Sequence, residues 1–191
     1  MNPLDQRLFL WLNLGEQSLA WLMQLALFGS TVWPKVMLAA LLLALVVGPA
    51  HWRRVTLHAV LAMLVAWLIV RGISTAWPLP RPFVLGVGQQ WLAKEPSPSF
   101  PSSHAAIAWA VGAAACWWVR QPLARAALLL SALLIAWSRL ALGLHFPSDT
   151  LAGMLIGVLA AWATVAITRL LAQRLGRGFR EVESIAMPPA N

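Results

Sequence analysis

The chain is 191 residues long, which is enough for one domain or two small ones. Hydrophobic residues make up 60% of it and charged residues 10%, whereas soluble domains contain about 25% charged residues. This composition excludes a water-soluble globular domain, and a mean hydropathy of +0.73 excludes intrinsic disorder. The formal net charge is +8, but the basic residues lie between apolar runs, so we predict no nucleic-acid partner. The sequence predicts an integral membrane protein that lies in the lipid bilayer.

The first sixteen residues precede the long apolar runs. Asp5 and Arg7 frame the apolar residues from Leu8 to Trp11, and neither a basic start nor a small-residue cleavage site precedes Glu16. These features do not fit a cleaved signal peptide. We predict an interfacial helix that leads into the first membrane span.

The apolar runs predict an all-α fold with six transmembrane helices. A helix needs about 20 residues to cross the hydrocarbon core, and the runs reach this length when flanking arginines are included. The membrane domain is predicted over residues 1–173 and a cytoplasmic tail over residues 174–191. The predicted spans lie near residues 17–34, 36–52, 55–75, 102–119, 123–143 and 148–170.

The distribution of Lys and Arg predicts the orientation of this bundle, because these residues are retained on the cytoplasmic side of a membrane. With six spans, both termini and most of the basic residues fall on one side, which is therefore predicted to be cytoplasmic. That side collects Arg7, Arg53, Arg54, Arg120, Arg125, Arg169, Arg174, Arg177 and Arg180. The outer side collects Lys35, Arg71, Arg81, Lys94 and Arg139.

Gly153 and Gly157 lie four residues apart in the last predicted span. This spacing lets two helices approach closely. We predict that both glycines pack inside the bundle, and a seam between two copies of the chain is the alternative.

The longest outer connection, from Trp77 to Ser102, carries part of a candidate active site. Its many prolines and glycines exclude a continuous helix. Arg81 lies near its start, and Ser102 is placed to cap the next helix. The backbone amides of Ser103 and His104 then lie at the positive end of that helix, where an anion binds favourably.

The second outer junction, between the fifth and sixth spans, adds three more candidate residues. His145 lies in the turn, and Asp149 follows four residues later in the first turn of the next helix. The carboxylate can hydrogen-bond one imidazole nitrogen, which orients the ring and leaves the other nitrogen free to attack. Arg139 precedes His145 by six residues and faces the same outer side.

These residues come from three places in the sequence and meet on one side of the predicted membrane. Two arginines, a helix N-terminus and two histidines are typical of a phosphate site, in which one histidine attacks phosphorus and the other protonates the leaving oxygen. A metal site built from His104, His145 and Asp149 is the alternative. Because the two arginines repel a divalent cation, we predict no metal and no cofactor. Burying an arginine at a membrane costs too much free energy for the residue to be kept without a function. The two arginines beside the histidines therefore argue against a purely structural histidine pair.

The order of these residues resembles the type 2 phosphatidic acid phosphatase family. The third motif of that family is Ser-Arg, five residues, His, three residues and Asp. Ser138, Arg139, His145 and Asp149 match it without exception.

The other two family motifs are matched with one departure each. The second motif, Pro-Ser-Gly-His, corresponds to Pro101-Ser102-Ser103-His104, with serine in place of glycine. The first motif, a Lys, six residues and Arg-Pro, keeps Arg81-Pro82 but has Ser74 at the lysine position. Arg71 lies three residues earlier on the same helix face, and we hypothesise that it reaches the site instead.

The resemblance implies a metal-independent phosphatase with a phosphohistidine intermediate. In that mechanism His145 is the nucleophile, Asp149 orients it and His104 is the general acid. The phosphate is expected to be bound by Arg81, Arg139, Ser102 and the backbone amide of Ser103.

The expected substrate is a membrane lipid phosphate whose tail stays in the bilayer. Residues 81–88 resemble the corresponding stretch of bacterial undecaprenyl diphosphate phosphatases, which recycle the cell-wall lipid carrier at the periplasmic face. We therefore expect a bacterial inner-membrane protein with a periplasmic active site. Phosphatidylglycerophosphate, phosphatidic acid and lipid A remain alternative substrates, and transfer of phosphate to a second lipid is an alternative reaction. Outside this class, a small membrane transporter, a noncatalytic scaffold and a vanadate-binding haloperoxidase are the alternatives.

Overall fold

The computed structural model describes residues 2–186 and, over residues 175–186, the backbone alone. The regular structure in these residues is entirely helical, which confirms the all-α prediction. A short 3₁₀ helix, Pro82–Leu85, lies in the long connection that follows the third α-helix. The α-helices are α1 (Pro3–Leu12), α2 (Ala20–Val46), α3 (Ala50–Ala76), α4 (Ser103–Trp118), α5 (Pro122–Ala141) and α6 (Pro147–Ala186).

Within the described residues, four helices are long and apolar enough to cross a membrane, so the predicted count of six spans is not confirmed. These four are Ala20–Val46, Ala50–Ala76, Pro122–Ala141 and Pro147–Arg174. Helix α4 has 16 residues and packs against α3, α5 and α6. Its buried side is made mostly of alanines, and these small side chains let the surrounding helices approach the centre of the bundle.

The first two predicted spans, 17–34 and 36–52, form the single helix α2. A π-turn, Phe28–Val32, lies inside α2 just before Pro34. A proline ring clashes with the carbonyl four residues earlier, here that of Ser30. The wider π-turn accommodates the ring, so the helix continues past the predicted break at Lys35 and ends at Val46.

Helix α1 packs at the end of the bundle that carries residues 77–102 and 142–146, which we call the loop end. The Asp5 carboxylate accepts hydrogen bonds from the backbone N–H of Ser148, at 2.9 Å, and from its hydroxyl, at 2.6 Å. The Phe9 ring lies 5.3 Å from the Phe146 ring, edge to face. A helix is thus present where the sequence predicts one before the first span, and it packs beside the start of α6.

The opposite end of the bundle, which we call the far end, carries arginines and tryptophans. The Arg169 guanidinium lies 5.2 Å from the Trp117 ring centre and 5.6 Å from that of Trp118. The Arg125 side chain donates to the carbonyl of Val119 in the α4–α5 turn, at 2.5 Å. Helix α6 runs from the loop end past this cluster.

Helix α1 and the described end of α6 therefore lie at opposite ends of the bundle, whereas the sequence predicts both termini on one side. Two spans are predicted before residue 52, but the structure has the single helix α2 there, which leaves α1 and Arg7 at the loop end. Residues 174–186, predicted as a separate tail, continue α6. Residues 187–191 of that tail lie outside the described residues.

Gly153 and Gly157 lie where α6 crosses α4. A Cβ atom at Gly153 would collide with the carbonyl oxygen of Ser102, and one at Gly157 with that of Ala106. The prediction that both glycines pack inside the bundle is confirmed. Their contact brings the first turns of α4 and α6 together at the loop end.

Candidate active site

His145 lies in the link between α5 and α6, and 2% of its surface is exposed. Gly143 makes the link possible, because its φ of +75° is a conformation that other residues rarely adopt. A Cβ atom at Gly143 would also collide with the carbonyl oxygen of Gln89. The backbone N–H of Leu144 donates to the carbonyl of Arg139, at 3.0 Å, which closes the end of α5. This tight turn points the imidazole into the protein.

Asp149, in the first turn of α6, faces one nitrogen of the His145 ring. Its Oδ2 lies 3.6 Å from Nδ1 of His145. The same oxygen accepts hydrogen bonds from the backbone N–H of Phe146, at 2.9 Å, and from the Ser99 hydroxyl, at 2.5 Å. These contacts fix the carboxylate, and the carboxylate in turn holds the ring.

Arg81 faces the other nitrogen of the same ring. Its Nη1 donates to Nε2 of His145, at 3.0 Å, and to the carbonyl of Leu144, at 2.8 Å. Its Nε and Nη2 donate to the backbone carbonyls of Ser97 and Pro98, at 3.0 and 3.1 Å. Because an arginine only donates, Nε2 must carry a lone pair, and the proton of the neutral ring is on Nδ1 beside Asp149.

Burial lowers the pKa of His145 to about 4, although the nearby Asp149 carboxylate acts in the opposite direction. Nearby Arg81 and Arg139 lower this pKa further, because each disfavours a second positive charge. Burial also lowers the pKa of Arg81 from its ordinary value, against the opposing effect of Asp149. At neutral pH the imidazole is therefore neutral, with its Nε2 lone pair directed at the guanidinium.

Arg139 lies in the last turn of α5, and 2% of its surface is exposed. Its Nη1 donates to the hydroxyl of Ser30, which lies in the π-turn of α2. Its Nε is buried without a hydrogen-bond partner among the described residues, and the same is true of the Ser102 hydroxyl. Buried polar groups are normally paired, so each of these two atoms can donate a hydrogen bond to an anion.

Ser102, Ser103 and His104 form the start of α4, as predicted, but the Ser102 hydroxyl makes no capping hydrogen bond. Ser102 precedes the first residue of the helix, and its backbone N–H donates to the carbonyl of Asp149, at 2.9 Å. This bond joins the N-terminus of α4 to the first turn of α6. His104 follows Ser103 in the first turn of α4 and lines, together with Ser103, the apolar cleft described below.

A polar cavity of about 180 Å³ opens beside Arg81. It is lined by side chains from α3, from the long connection and from the start of α4. Arg71, which is predicted from the sequence to reach the site, lies on the rim of this cavity and is exposed. The lining residues are Trp67, Val70, Arg71, Ser74, Arg81, Lys94, Ser97, Pro98, Pro101 and Ser103.

An apolar cleft of about 370 Å³ lies between α2, α3 and α4. Trp67 and Ser103 line both this cleft and the polar cavity, so the two spaces are adjacent. His104 stands at the polar end of the cleft. Its apolar walls are formed by Pro34, Met37, Leu38, Leu41, Met63, Ile107, Ala108, Val111 and Ile135.

The structure thus gathers the predicted residues around one site, and it adds several that the sequence analysis missed. Ser99 contacts Asp149, Ser97 contacts Arg81, Ser30 contacts Arg139, and Lys94 lines the cavity. In the sequence, the run Pro96-Ser97-Pro98-Ser99 indicates only an irregular loop, and no sequence pattern singles out Ser30. Within the described residues, no three His, Cys, Asp or Glu side chains come close enough together to hold a metal ion.

Comparison with known proteins shows the family of the chain. The model of the PAP2 superfamily matches residues 55–172, which contain all three motifs. The chain belongs to the PAP2 superfamily. It is a PAP2-type membrane protein of the lipid phosphatase class, as the three motifs predicted.

Two curated relatives within this class are from Escherichia coli. The chain is 29% identical over 178 residues to the protein named "Putative undecaprenyl-diphosphatase YbjG", covering 92% of this chain and 88% of that protein. It is 40% identical over 85 residues to phosphatidylglycerophosphatase B, covering 43% of this chain and 32% of that protein.

Two solved structures share the PAP2 fold of this chain. LpxE of Aquifex aeolicus has a TM-score of 0.72 and 24% identity, covering 86% of this chain and 96% of that one. A transmembrane PAP2-type phosphatidylglycerolphosphate phosphatase of Bacillus subtilis has a TM-score of 0.61 and 17% identity. The latter match covers 87% of this chain and 83% of that chain. At these identities the likeness concerns the fold.

Proposed function

We propose that this protein hydrolyses undecaprenyl diphosphate through a phosphohistidine on His145. The observation that carries the proposal is that the two ring nitrogens of His145 face two different groups. Nδ1 faces the Asp149 carboxylate, and Nε2 presents a lone pair to Arg81, where a phosphate would bind. This arrangement prepares Nε2 for attack on phosphorus.

In the first step the lone pair of Nε2 forms a bond to the terminal phosphorus, and the bond from phosphorus to the bridging oxygen breaks. His104 in its protonated form, which the negative charge of the bound diphosphate favours, donates a proton to that oxygen, which leaves as undecaprenyl phosphate. Asp149 stabilises the positive charge that develops on the ring. Arg81 exchanges its bond to Nε2 for bonds to the phosphate oxygens as the substrate enters.

In the second step a water molecule attacks the phosphorus, the P–N bond breaks and inorganic phosphate leaves. His104 takes the proton from that water and so returns to its starting state. Arg81, Arg139, Ser102 and the backbone amide of Ser103 hold the phosphate in both steps. We assign Arg71, on the rim of the cavity, to binding the phosphate at its entrance. No metal or cofactor is part of this mechanism.

Two observations support a lipid as the substrate. The apolar cleft between α2, α3 and α4 adjoins the polar cavity and can hold part of a long hydrocarbon chain. His104 stands between the two spaces, where the oxygen that leaves with the lipid would be protonated. The name of the relative that aligns over most of its length favours undecaprenyl diphosphate among lipid phosphates.

We further propose that the protein lies in a bacterial inner membrane with its loop end facing the periplasm. The far end carries Arg53, Arg54, Arg120, Arg125 and Arg169, and such an excess of arginine is typical of the cytoplasmic side. Residues 1–173 are proposed to act as one membrane domain.

The test is phosphate release by the purified full-length chain in detergent, with a metal chelator present. Undecaprenyl diphosphate, phosphatidylglycerophosphate and phosphatidic acid are compared at equal concentrations. We expect turnover to be fastest on undecaprenyl diphosphate and to fall at least about a thousandfold in His145→Ala. Rapid quenching of the wild type should trap an acid-labile phosphoenzyme that His145→Ala does not form.

The outcomes separate the parts of the proposal. Faster turnover on phosphatidylglycerophosphate would overturn the substrate and favour the function named for the relative that is 40% identical over 85 residues. A phosphoenzyme that passes phosphate to a second lipid, but not to water, would make the protein a phosphotransferase. Full activity in His145→Ala would overturn the mechanism.

A further inference from the structure

The polar cavity contains a cation that the three motifs do not account for. Lys94 lines it together with Arg81 and Ser97, and it comes from the connection between α3 and α4, not from a motif. Ser74, which replaces the lysine of the first motif, lines the same cavity. We propose that Lys94 is a phosphate-binding residue and supplies from the loop the positive charge that Ser74 cannot. This inference rests on the proposed phosphatase function.

The charges around Lys94 support an anion at this place. Its side chain is partly buried, and burial together with Arg81 and Arg139 lowers its pKa from the ordinary value. Like charges repel one another, so three cations in one cluster are unfavourable unless an anion lies among them. Asp149 partly offsets the charge of Arg81, but within the described residues none of the three cations forms a side-chain ion pair with a carboxylate.

The alternatives to Lys94 are less well placed. The Ser74 hydroxyl donates to the carbonyl of Arg71 on its own helix, at 3.1 Å, and so is turned toward the backbone. The Arg71 side chain is exposed at the rim. Lys94 is partly buried, and the charges of Arg81 and Arg139 lower its pKa. Of the two cations that line the cavity outside the motifs, Lys94 is therefore the one better shielded from solvent.

Because Ser74 and Lys94 line one cavity, the positive charge can be moved between them. The variants are Lys94→Ala, Lys94→Arg and the double variant Ser74→Lys with Lys94→Ala. The control is Lys35→Ala, which removes the other lysine of the chain from an exposed position on α2. Binding of inorganic phosphate to the purified full chain is measured by calorimetry, and kcat and KM are measured with the lipid diphosphate.

We expect Lys94→Ala to weaken phosphate binding about tenfold or more, as the loss of a charged hydrogen bond does, and to lower kcat/KM by a similar factor. Lys94→Arg and the double variant should recover most of the affinity, and Lys35→Ala should match the wild type. Thermal unfolding of each variant confirms that the fold is kept.

Two results would overturn the assignment. One is phosphate binding by Lys94→Ala within about twofold of the wild type. The other is a loss that neither Lys94→Arg nor the double variant restores, since a structural role would give that pattern. A wild type that binds phosphate through Lys94 but hydrolyses no lipid would contradict the proposed function and leave this assignment standing. If the wild type hydrolyses the lipid and Lys94→Ala is fully active, the assignment of Lys94 is wrong and the proposed function stands.

Discussion

His145 is the residue on which the chemistry depends, because each of its ring nitrogens has a different partner. The partner of Nδ1 is a carboxylate and the partner of Nε2 is a guanidinium. This fixes the tautomer, directs the lone pair toward the phosphate position and keeps the buried ring neutral. The consequences can be tested through pH and through the contacts of Asp149.

On the acid side, the rate of phosphoenzyme formation should decline only at an unusually low pH. Burial lowers the pKa of His145 to about 4, and the neutral ring is the nucleophile. The rate should therefore stay nearly constant as the pH falls from 7 to about 5, and decline as the pH nears the lowered value. Rapid-quench measurement of the phosphoenzyme at a series of pH values checks this. A decline centred near 6.5, the ordinary histidine value, would contradict it.

The same shift has a consequence for stability. The unfolded chain takes up a proton on this histidine near pH 6.5, whereas the folded protein does so only near its lowered pKa of about 4. The unfolded state thus gains stability as the pH falls between these values, and the folded protein loses it. Comparing thermal unfolding of the wild type and His145→Gln across this range isolates the contribution, which the variant should lack.

Ser99 is predicted to act as a positioning residue. Its hydroxyl donates to Oδ2 of Asp149, so Ser99→Ala leaves that buried carboxylate with one hydrogen bond fewer. We expect kcat to fall about tenfold, as the loss of a hydrogen bond to a charged group would give, with KM nearly unchanged. The acid limb of the pH profile should also move, because the carboxylate that faces Nδ1 is less well held. An unchanged kcat and an unchanged pH profile would exclude this role.

At the scale of helices, the close crossing of α4 and α6 positions the site. Gly153 and Gly157 let the backbones meet, and the Ser102 N–H then reaches the Asp149 carbonyl. The anion-binding start of α4 is thereby joined to the residue that holds His145. A change at the crossing should reach the chemistry without touching any catalytic group.

Gly157→Ala tests this crossing, with Gly72→Ala as its matched control. A Cβ at Gly157 would collide with the Ala106 carbonyl, whereas nothing lies within 4 Å of a Cβ at Gly72 on α3. We expect Gly157→Ala to lower the thermal unfolding midpoint and the activity together, by about 1–3 kcal/mol in stability. Gly72→Ala should leave stability equal or raise it by up to about 1 kcal/mol, because alanine favours a helix. Equal stability of the two variants would contradict the assigned packing.

At the scale of the whole molecule, one π-turn changes the topology. Because α2 continues past Pro34, the chain reaches the start of α3 after one crossing, and α1 remains at the loop end. The N-terminal helix thus packs beside the site, through Asp5 and Phe9, while α6 carries the chain to the far end. This arrangement differs from a six-span bundle with both termini on one side.

Labelling with a membrane-impermeant maleimide distinguishes the two topologies. In a Cys116→Ser background, single cysteines are introduced as Asn2→Cys, Gln90→Cys and Arg120→Cys. We expect Asn2→Cys and Gln90→Cys to react from the same side of the membrane and Arg120→Cys from the other, because the first two lie at the loop end. Reaction of Asn2→Cys and Arg120→Cys from one common side would support the six-span arrangement instead.

The sequence by itself determined the class of the protein and predicted the residues of its candidate site. Apolar runs require a helical membrane protein, because an unpaired backbone is too costly in lipid. The fixed spacing of Arg139, His145 and Asp149 reflects local chemistry, since a turn followed by a helix N-terminus brings these residues together whatever surrounds them. Arg81 and the residues around Ser102 were found because their motifs are also local.

The tertiary structure alone decided the features that depend on contacts between distant segments. Ser30 reaches Arg139 across 109 residues of sequence, and Ser99 reaches Asp149 across 50. Lys94 gains its place in the cavity from the path of an irregular connection, which has no periodicity to reveal it. The number of helices before residue 52 depended on whether Pro34 ends a helix or is accommodated by a π-turn, and only the structure showed the π-turn.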